Sequence, residues 1–374
     1  MRFRPALADI VPYEPGLTAE LVRRRYGLDD VVKLASNEFP LPPFPEVKQA
    51  MLASLDELQR YPDGHSTDLC AALAAHHGRA SEQIVVGNGS CELLVSLGHA
   101  LLEAGDEVVF AAPSFAMYAD VCEMRAAVAV EVPLRDHAHD VDAMAGAVTP
   151  KTRMVILCNP NNPTGTYVPA VDVARLADAV PGDVLLVVDE AYNEFVVAPD
   201  AQGALDVQAA HDNVIVLRTF SKIYGLCGLR VGYGLCAPGV KQALDKVRQP
   251  FNANRLAQVA AVEALRHQDQ VQARREQTAA LRSGMAAALA ARGRATVPSQ
   301  ANFMLVDARG LRVPQEEVFE SLLRLGVIVR DGNALGLPGW LRVSVGTEDE
   351  IGFFLDKLAS LETAAPGTAE GRPT

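Results

Sequence analysis

From about residue 65 onward the chain alternates between two hydrophobic rhythms. Short runs at 83–86, 107–110, 154–158, 184–188, 214–218 and 231–235 are apolar at successive positions and rich in β-branched residues. Strands buried on both faces have this pattern, whereas half-exposed strands alternate. Stretches with apolar positions three and four apart lie between most of these runs, as helices require. Strands alternating with helices predict an α/β fold, a mostly parallel sheet wrapped by helices.

Helical patterning dominates 254–292, and the order then changes. A strand at 302–306, a helix at 314–325, strands at 327–329 and 341–345 and a final helix at 347–361 predict a smaller α+β domain. The chain is thus expected to divide into an N-terminal arm (1–35) with a short helix at 17–26, a large domain (36–265) and a small domain (266–361). The last residues, 362–374, are small and polar and read as a disordered tail.

Composition narrows the function classes. The 374 residues are 49% hydrophobic and 21% charged, with a net charge of −12. An acidic chain has no broad positive field, which argues against nucleic acid and anionic membrane as partners. No apolar run approaches the roughly 18 residues of a membrane span, and the opening residues lack the apolar core and cleavage pattern of a secretion signal. Six scattered cysteines without a CxxC pair suit a reducing compartment. A soluble cytoplasmic protein is expected. His76-His77 and His137-x-His139 read as surface residues, with no metal site.

Ligands of open α/β sheets bind beyond the carboxyl ends of the strands, where four unusual turns of this chain fall. They are Gly87-Asn88-Gly89-Ser90, the run Asn159-Pro160-Asn161-Asn162-Pro163-Thr164-Gly165, Asp189-Glu190-Ala191-Tyr192, and Thr219-Phe220-Ser221-Lys222. Each alone has a plain structural reading: a helix cap, a proline turn, an N-cap aspartate, a surface lysine. Arg230 alone is equally an ordinary ion-pair partner.

Together they match the needs of pyridoxal phosphate (PLP): an amine for its aldehyde, an anion at its pyridine nitrogen, donors to its phenolate and a phosphate cup. Lys222 supplies the amine and Asp189 the anion, while Tyr192 and Asn162 hydrogen-bond the phenolate. The cup would be the helix start at Gly89, Ser90 and Cys91, the hydroxyls of Thr219 and Ser221, and the Arg230 guanidinium, a local device that needs no general basicity.

The segment from Thr219 to Arg230, with NPNNPTG and VVDEAY, resembles the signature of fold-type I PLP-dependent aminotransferases. LASNEFP, RYPDG, GNGS, LRTFSK, PSQANF and WLRVSVGT make the chain most similar to the histidinol-phosphate branch, over nearly its whole length. The resemblance implies the fold-type I transferase fold, a mostly parallel seven-stranded sheet with flanking helices, and a homodimer in which Tyr61 reaches the partner's cofactor phosphate. Phe115 would lie on the cofactor ring where the family usually has tyrosine. Asn37 and Asn162 would line the substrate site, Arg342 would take the substrate carboxylate, and Arg330 and Tyr13 would help with its phosphate.

The reaction implied exchanges an amino group between L-glutamate and imidazole acetol phosphate, giving 2-oxoglutarate and L-histidinol phosphate for histidine biosynthesis. An aromatic-amino-acid (phenylalanine) aminotransferase and a PLP lyase or decarboxylase of the same fold are the alternatives. Cys91 and Cys227 depart from the family pattern and read as packing residues.

Overall fold

Among the described residues twelve strands form three sheets: β1 (Val32–Lys33), β2 (Ile84–Gly87), β3 (Glu107–Ala112), β4 (Val128–Pro133), β5 (Thr152–Cys158), β6 (Leu185–Asp189), β7 (Val214–Thr219), β8 (Gly232–Leu235), β9 (Phe303–Asp307), β10 (Val327–Ile328), β11 (Arg330–Asp331) and β12 (Trp340–Ser344). The computed structural model describes residues 1, 10 and 16–363. Most of the expected arm before residue 16, with Tyr13, and the tail from 364 onward lie outside the described residues.

The large sheet has the order β2-β8-β7-β6-β5-β3-β4. Only β8 is reversed relative to the other six strands, so the sheet is mostly parallel, as expected. Five of the six runs picked out by patterning are strands of its parallel part or its β2 edge, and 231–235 is the reversed β8. The seventh strand, β4, escaped the patterning. It is an edge strand paired only to β3, largely exposed, and it ends on Pro133, which an edge tolerates.

Alternation along each strand splits the core into two layers. Val155, Leu157, Leu186, Val188, Val214 and Val216 pack into one face. Met154, Ile156, Cys158, Leu185, Val187, Ile215 and Leu217 pack into the other, with Phe110 and Tyr118. Each fully buried aliphatic side chain contributes roughly 1.5–3 kcal/mol. Continuing the alternation places Asp189 and Thr219 on the second face, and Arg218 on the first.

Beyond the helices Arg255–Leu265 and Gln268–Ala290, strands β11, β12 and β9 form an antiparallel sheet. The early strand β1 pairs in parallel with β10, Val32 opposite Val327. Leu34 continues this pairing, donating to the Ile328 carbonyl and accepting from the Ser344 amide. The residues after β1 are thereby stitched to the C-terminal sheet, and they deliver Asn37 to the carboxyl edge of the large one. Among the described residues no helix is long and apolar enough to cross a membrane.

Candidate active site at the strand termini

The turn after β5 satisfies its own polar groups. Asn159 bonds Val168 through both its amide nitrogen and its oxygen, at 2.9 and 2.8 Å. Asn161 donates to the Thr164 hydroxyl at 3.0 Å and accepts from Ser114 at 2.8 Å. With its neighbours absorbed in the turn, Asn162 faces the C-terminal sheet, where its Oδ1 accepts from Arg342 Nη1 at 2.5 Å. Arg342 Nη2 donates to the Ala35 carbonyl at 2.6 Å, and the guanidinium lies over the Phe303 ring.

Asp189 ends β6 nearly buried, at 3% exposure. Burial raises its pKa, opposed by hydrogen bonds from Tyr118 and the Ala191 amide and by the charge of Lys222. The Tyr118 hydroxyl donates to Oδ2 at 2.8 Å, and the Ala191 amide to Oδ1 at 3.2 Å. Tyr192, three residues on, is buried with its ring edge against Phe303, and its oxygen accepts from the Asn37 side-chain amide at 3.1 Å.

Lys222 follows β7, half-buried, its Nζ donating to the Asn37 carbonyl at 3.2 Å and lying 5.3 Å from the centre of the Tyr192 ring. Removal from water, then the Arg342 charge, lower its pKa to about 8. An amine so placed is mostly charged near physiological pH but keeps a neutral fraction of about a fifth, far more than an ordinary lysine.

Asn37 ties these groups together. Its backbone sits in the left-handed region, with φ of 53°. Its amide donates to the Ser344 hydroxyl at 3.0 Å, and its carbonyl accepts from Asn302 at 3.1 Å as well as from Lys222.

The anion cup is built at the start of the helix Ser90–Leu101. Its N-cap, Gly89, has φ of 81° and no side-chain cap, so no side chain answers the first helical N–H groups. A Cβ on Gly89 would stand 2.6 Å from Arg230 Nη2, and one on Gly232 2.5 Å from the Ser90 nitrogen. Only glycine allows β8, the helix start and the arginine to crowd so closely. Arg230 Nη1 also donates to the Ser221 hydroxyl at 3.3 Å and to the Cys227 carbonyl at 3.1 Å. Thr219 donates to Ser221 at 3.0 Å. Cys91 is half-buried at the helix start, and burial raises its thiol pKa. The fields of Asp189, Arg230 and Lys222 all reach that thiol.

Of the other expected residues, Phe115 is half-buried edge-on to Tyr118, with ring centres 5.7 Å apart. Arg330 lies on β11 directly opposite Arg342 on β12. Tyr61 stands apart, 79% exposed and stacked on Phe251 at 4.7 Å. Tyr13 is outside the described residues.

The expectation of surface histidines needs correction. His139 is buried, its Nε2 sharing a hydrogen bond with the Cys158 carbonyl at 2.8 Å, and burial lowers its pKa to about 4. His77 is half-buried against the Tyr233 hydroxyl at 3.0 Å.

Sequence reading missed Tyr118, Ser344, Asn302 and the pair Arg218–Glu190. Ser344 and Asn302 lie inside motifs already noted, WLRVSVGT and PSQANF. Arg218 and Glu190 are adjacent to Thr219 and Asp189, and their buried ion pair at 2.7 Å lies behind the site. Tyr118 had one signal, a phenol three residues after Phe115 in an otherwise apolar face.

Comparison with known proteins agrees with this geometry. Residues 29–358 match the family model for aminotransferase class I and II. The chain is 44% identical over 359 residues to a histidinol-phosphate aminotransferase of Moorella thermoacetica, covering 96% of this chain and 92% of that protein. It is also 44% identical to histidinol-phosphate aminotransferase 2 of Ralstonia nicotianae, covering 95% and 97%. Its structure resembles the histidinol-phosphate aminotransferase of Sinorhizobium meliloti solved with pyridoxal-5'-phosphate, with a TM-score of 0.89, 31% identity, and coverage of 97% and 98%. The chain belongs to the class I and II aminotransferases and, within them, to the histidinol-phosphate aminotransferases.

Proposed function

We propose that this chain is a PLP-dependent transaminase interconverting L-histidinol phosphate and 2-oxoglutarate with imidazole acetol phosphate and L-glutamate. The observation that carries the reading is the Lys222 amine, its pKa near 8, in one neighbourhood with Asp189, Tyr192, Asn162 and Arg342.

The donor set fits PLP. A helix start without a side-chain cap, crowded against Arg230 so that Gly89 admits no Cβ, suits a phosphate dianion. A nearly buried carboxylate near a lysine suits a protonated ring nitrogen. When bound, the cofactor supplies an electron-withdrawing ring that stabilises negative charge at the substrate's Cα.

Each residue then has a task. Lys222 would carry the cofactor, and its amine would move the proton at the substrate Cα; a pKa near the working pH suits that transfer. Asp189 would hold the pyridine nitrogen, and Tyr192 and Asn162 would orient the phenolate. Gly89, Ser90, Cys91, Thr219, Ser221 and Arg230 would hold the phosphate, and Phe115 would cover the ring, for which a phenyl suffices.

Arg342 would grip the glutamate carboxylate, Arg330 and Tyr13 would serve the substrate phosphate, and Asn37 would line the same substrate site. Histidinol phosphate has no α-carboxylate, so one pocket must accept either a dicarboxylate or a phosphate monoester. Two arginines opposite one another support that dual demand.

A homodimer completes the site, with Tyr61 of each protomer reaching the partner's cofactor phosphate. The exposure of Leu52, Leu55, Leu58, Tyr61 and Phe251 supports such an interface. Six free cysteines support a cytoplasmic location. The seven-stranded sheet, separate from the C-terminal sheet β11-β12-β9, supports a division into a large domain, 36–265, and a small one, 266–361.

The test is to load the purified protein with PLP, reduce it with borohydride and map the pyridoxyl mass tag. The tag should sit on Lys222, and Lys222→Ala should carry none and turn over nothing. With 2-oxoglutarate as acceptor, histidinol phosphate should react far faster than phenylalanine. A faster phenylalanine reaction, or carbon dioxide release without a keto acid, would overturn the substrate assignment.

A further inference from the structure

Tyr118 is the second residue of the helix Met117–Arg125, which packs its buried side onto the face of the large sheet that carries Asp189. The side chain has no exposed surface. Its ring meets Phe110 at 5.9 Å and Phe115 at 5.7 Å, both edge-on. A phenol in so apolar a layer must find an acceptor for its hydroxyl, or desolvation goes uncompensated. That acceptor is Asp189 Oδ2, at 2.8 Å.

Two details make this contact more than packing. Burial, reinforced by the Asp189 charge, holds the Tyr118 proton well above the ordinary phenol range, so the hydroxyl is a permanent donor. The Ala191 amide donates to the other carboxylate oxygen at 3.2 Å, so both oxygens are pinned and the carboxylate plane is fixed. Each oxygen still keeps a lone pair for one further donor. The other titratable groups whose fields reach Asp189 are Lys222, Cys91, Cys158, Tyr192 and Glu190. Lys222 attracts the charged carboxylate, but the only side-chain hydrogen bond described to it comes from Tyr118.

We propose that Tyr118 is a positioning residue for the reaction: its hydroxyl keeps the Asp189 carboxylate ionised and oriented, so that the remaining lone pair is presented to the cofactor's ring nitrogen. This rests on the assignment of Asp189 to that nitrogen. Removing the hydroxyl takes a donor from the charged form of Asp189, weakens it as a partner and makes the ring nitrogen give up its proton more readily.

Tyr118→Phe keeps the ring and its packing, so the apo-protein should unfold within a few degrees of wild type. The direct readout is the 15N chemical shift of PLP labelled at the ring nitrogen, followed against pH in the loaded enzyme. In Tyr118→Phe the ring nitrogen should deprotonate at a pH lower by about one unit. The kcat should fall about tenfold while KM for glutamate stays within twofold. Replacing Tyr118 with 3-fluorotyrosine, a stronger donor, should move the titration the opposite way.

A wild-type 15N titration in Tyr118→Phe, whatever happens to kcat, overturns the proposal and leaves Tyr118 a packing residue. Asp189→Asn separates the two assignments. If that variant also titrates as wild type, Asp189 is not the partner of the ring nitrogen, and the reading on which the proposal rests falls first.

Discussion

Arg330 and Arg342 stand directly opposite one another on the antiparallel strands β11 and β12. Like charges facing across a ladder weaken it, so the pair suits a site that takes anions. Arg342 donates from two nitrogens to neutral oxygens, Asn162 Oδ1 and the Ala35 carbonyl, which fixes its planar fork. A lysine cannot reproduce that fork. Arg342→Lys should therefore cut kcat/KM for glutamate by about a hundredfold. Arg330→Lys should act more on histidinol phosphate than on glutamate. Steady-state kinetics with both substrates measures each; equal losses on the two would deny the division of labour.

The Lys222 amine makes apo-protein stability depend on pH. Its pKa is about 8 in the folded chain, against 10.5 ordinarily. Between these values the unfolded chain binds more protons, so stability rises with pH across that window. Well below pH 8 the lysine costs folding its full penalty, on the order of 3 kcal/mol. Lys222→Met should thus be more stable than wild type at pH 7, with the difference shrinking toward pH 10.5. Urea denaturation of both apo-proteins at a series of pH values measures it.

Behind the site, Arg218 donates twice to Glu190 Oε2, at 2.9 and 2.7 Å, with both side chains buried. Arg218→Met should destabilise the protein by about 3–5 kcal/mol, because it strands a buried carboxylate. Removing both charges, with Arg218→Met and Glu190→Leu together, should recover most of that loss. A double-mutant cycle by chemical denaturation decides, and a double variant as unstable as the single one would refute the pairing argument.

Glu194 neighbours that pair with its Oε2 buried and without a hydrogen-bond partner among the described residues. Burial raises its pKa to about 7. Here the folded chain binds the extra proton, so stability is lost as pH rises from about 4.5 to 7. Glu194→Gln should stabilise the protein by about 2–3 kcal/mol at pH 8 and have little effect at pH 5. Thermal unfolding at the two pH values suffices to check it.

What could be read from the sequence depended on how local its cause was. Lys222, Asp189 and Asn162 stood out because polar residues closing apolar strands need partners, and the strand pattern located those ends. The glycine before the helix Ser90–Leu101 was legible for the same reason. Strand β4 was not, because a mostly exposed edge lacks the doubly buried signature. Tyr118 lies 71 positions from the carboxylate it serves, and no periodicity reports a contact at that range. His139 looked like a surface residue because nothing nearby reveals that the Cys158 carbonyl, 19 positions on, awaits it.

The backbone of Asn37 makes Lys222 answer to a distant strand. One dihedral angle, at a residue type that tolerates the left-handed region better than most, aims an amide at Ser344, a carbonyl at Lys222 and a side chain at Tyr192. Rotating that residue into ordinary extended backbone would release all three at once. A tilt of the C-terminal strands therefore reaches the Lys222 amine through a single residue, which makes residue 37 a mechanical fuse between the large sheet and the C-terminal one.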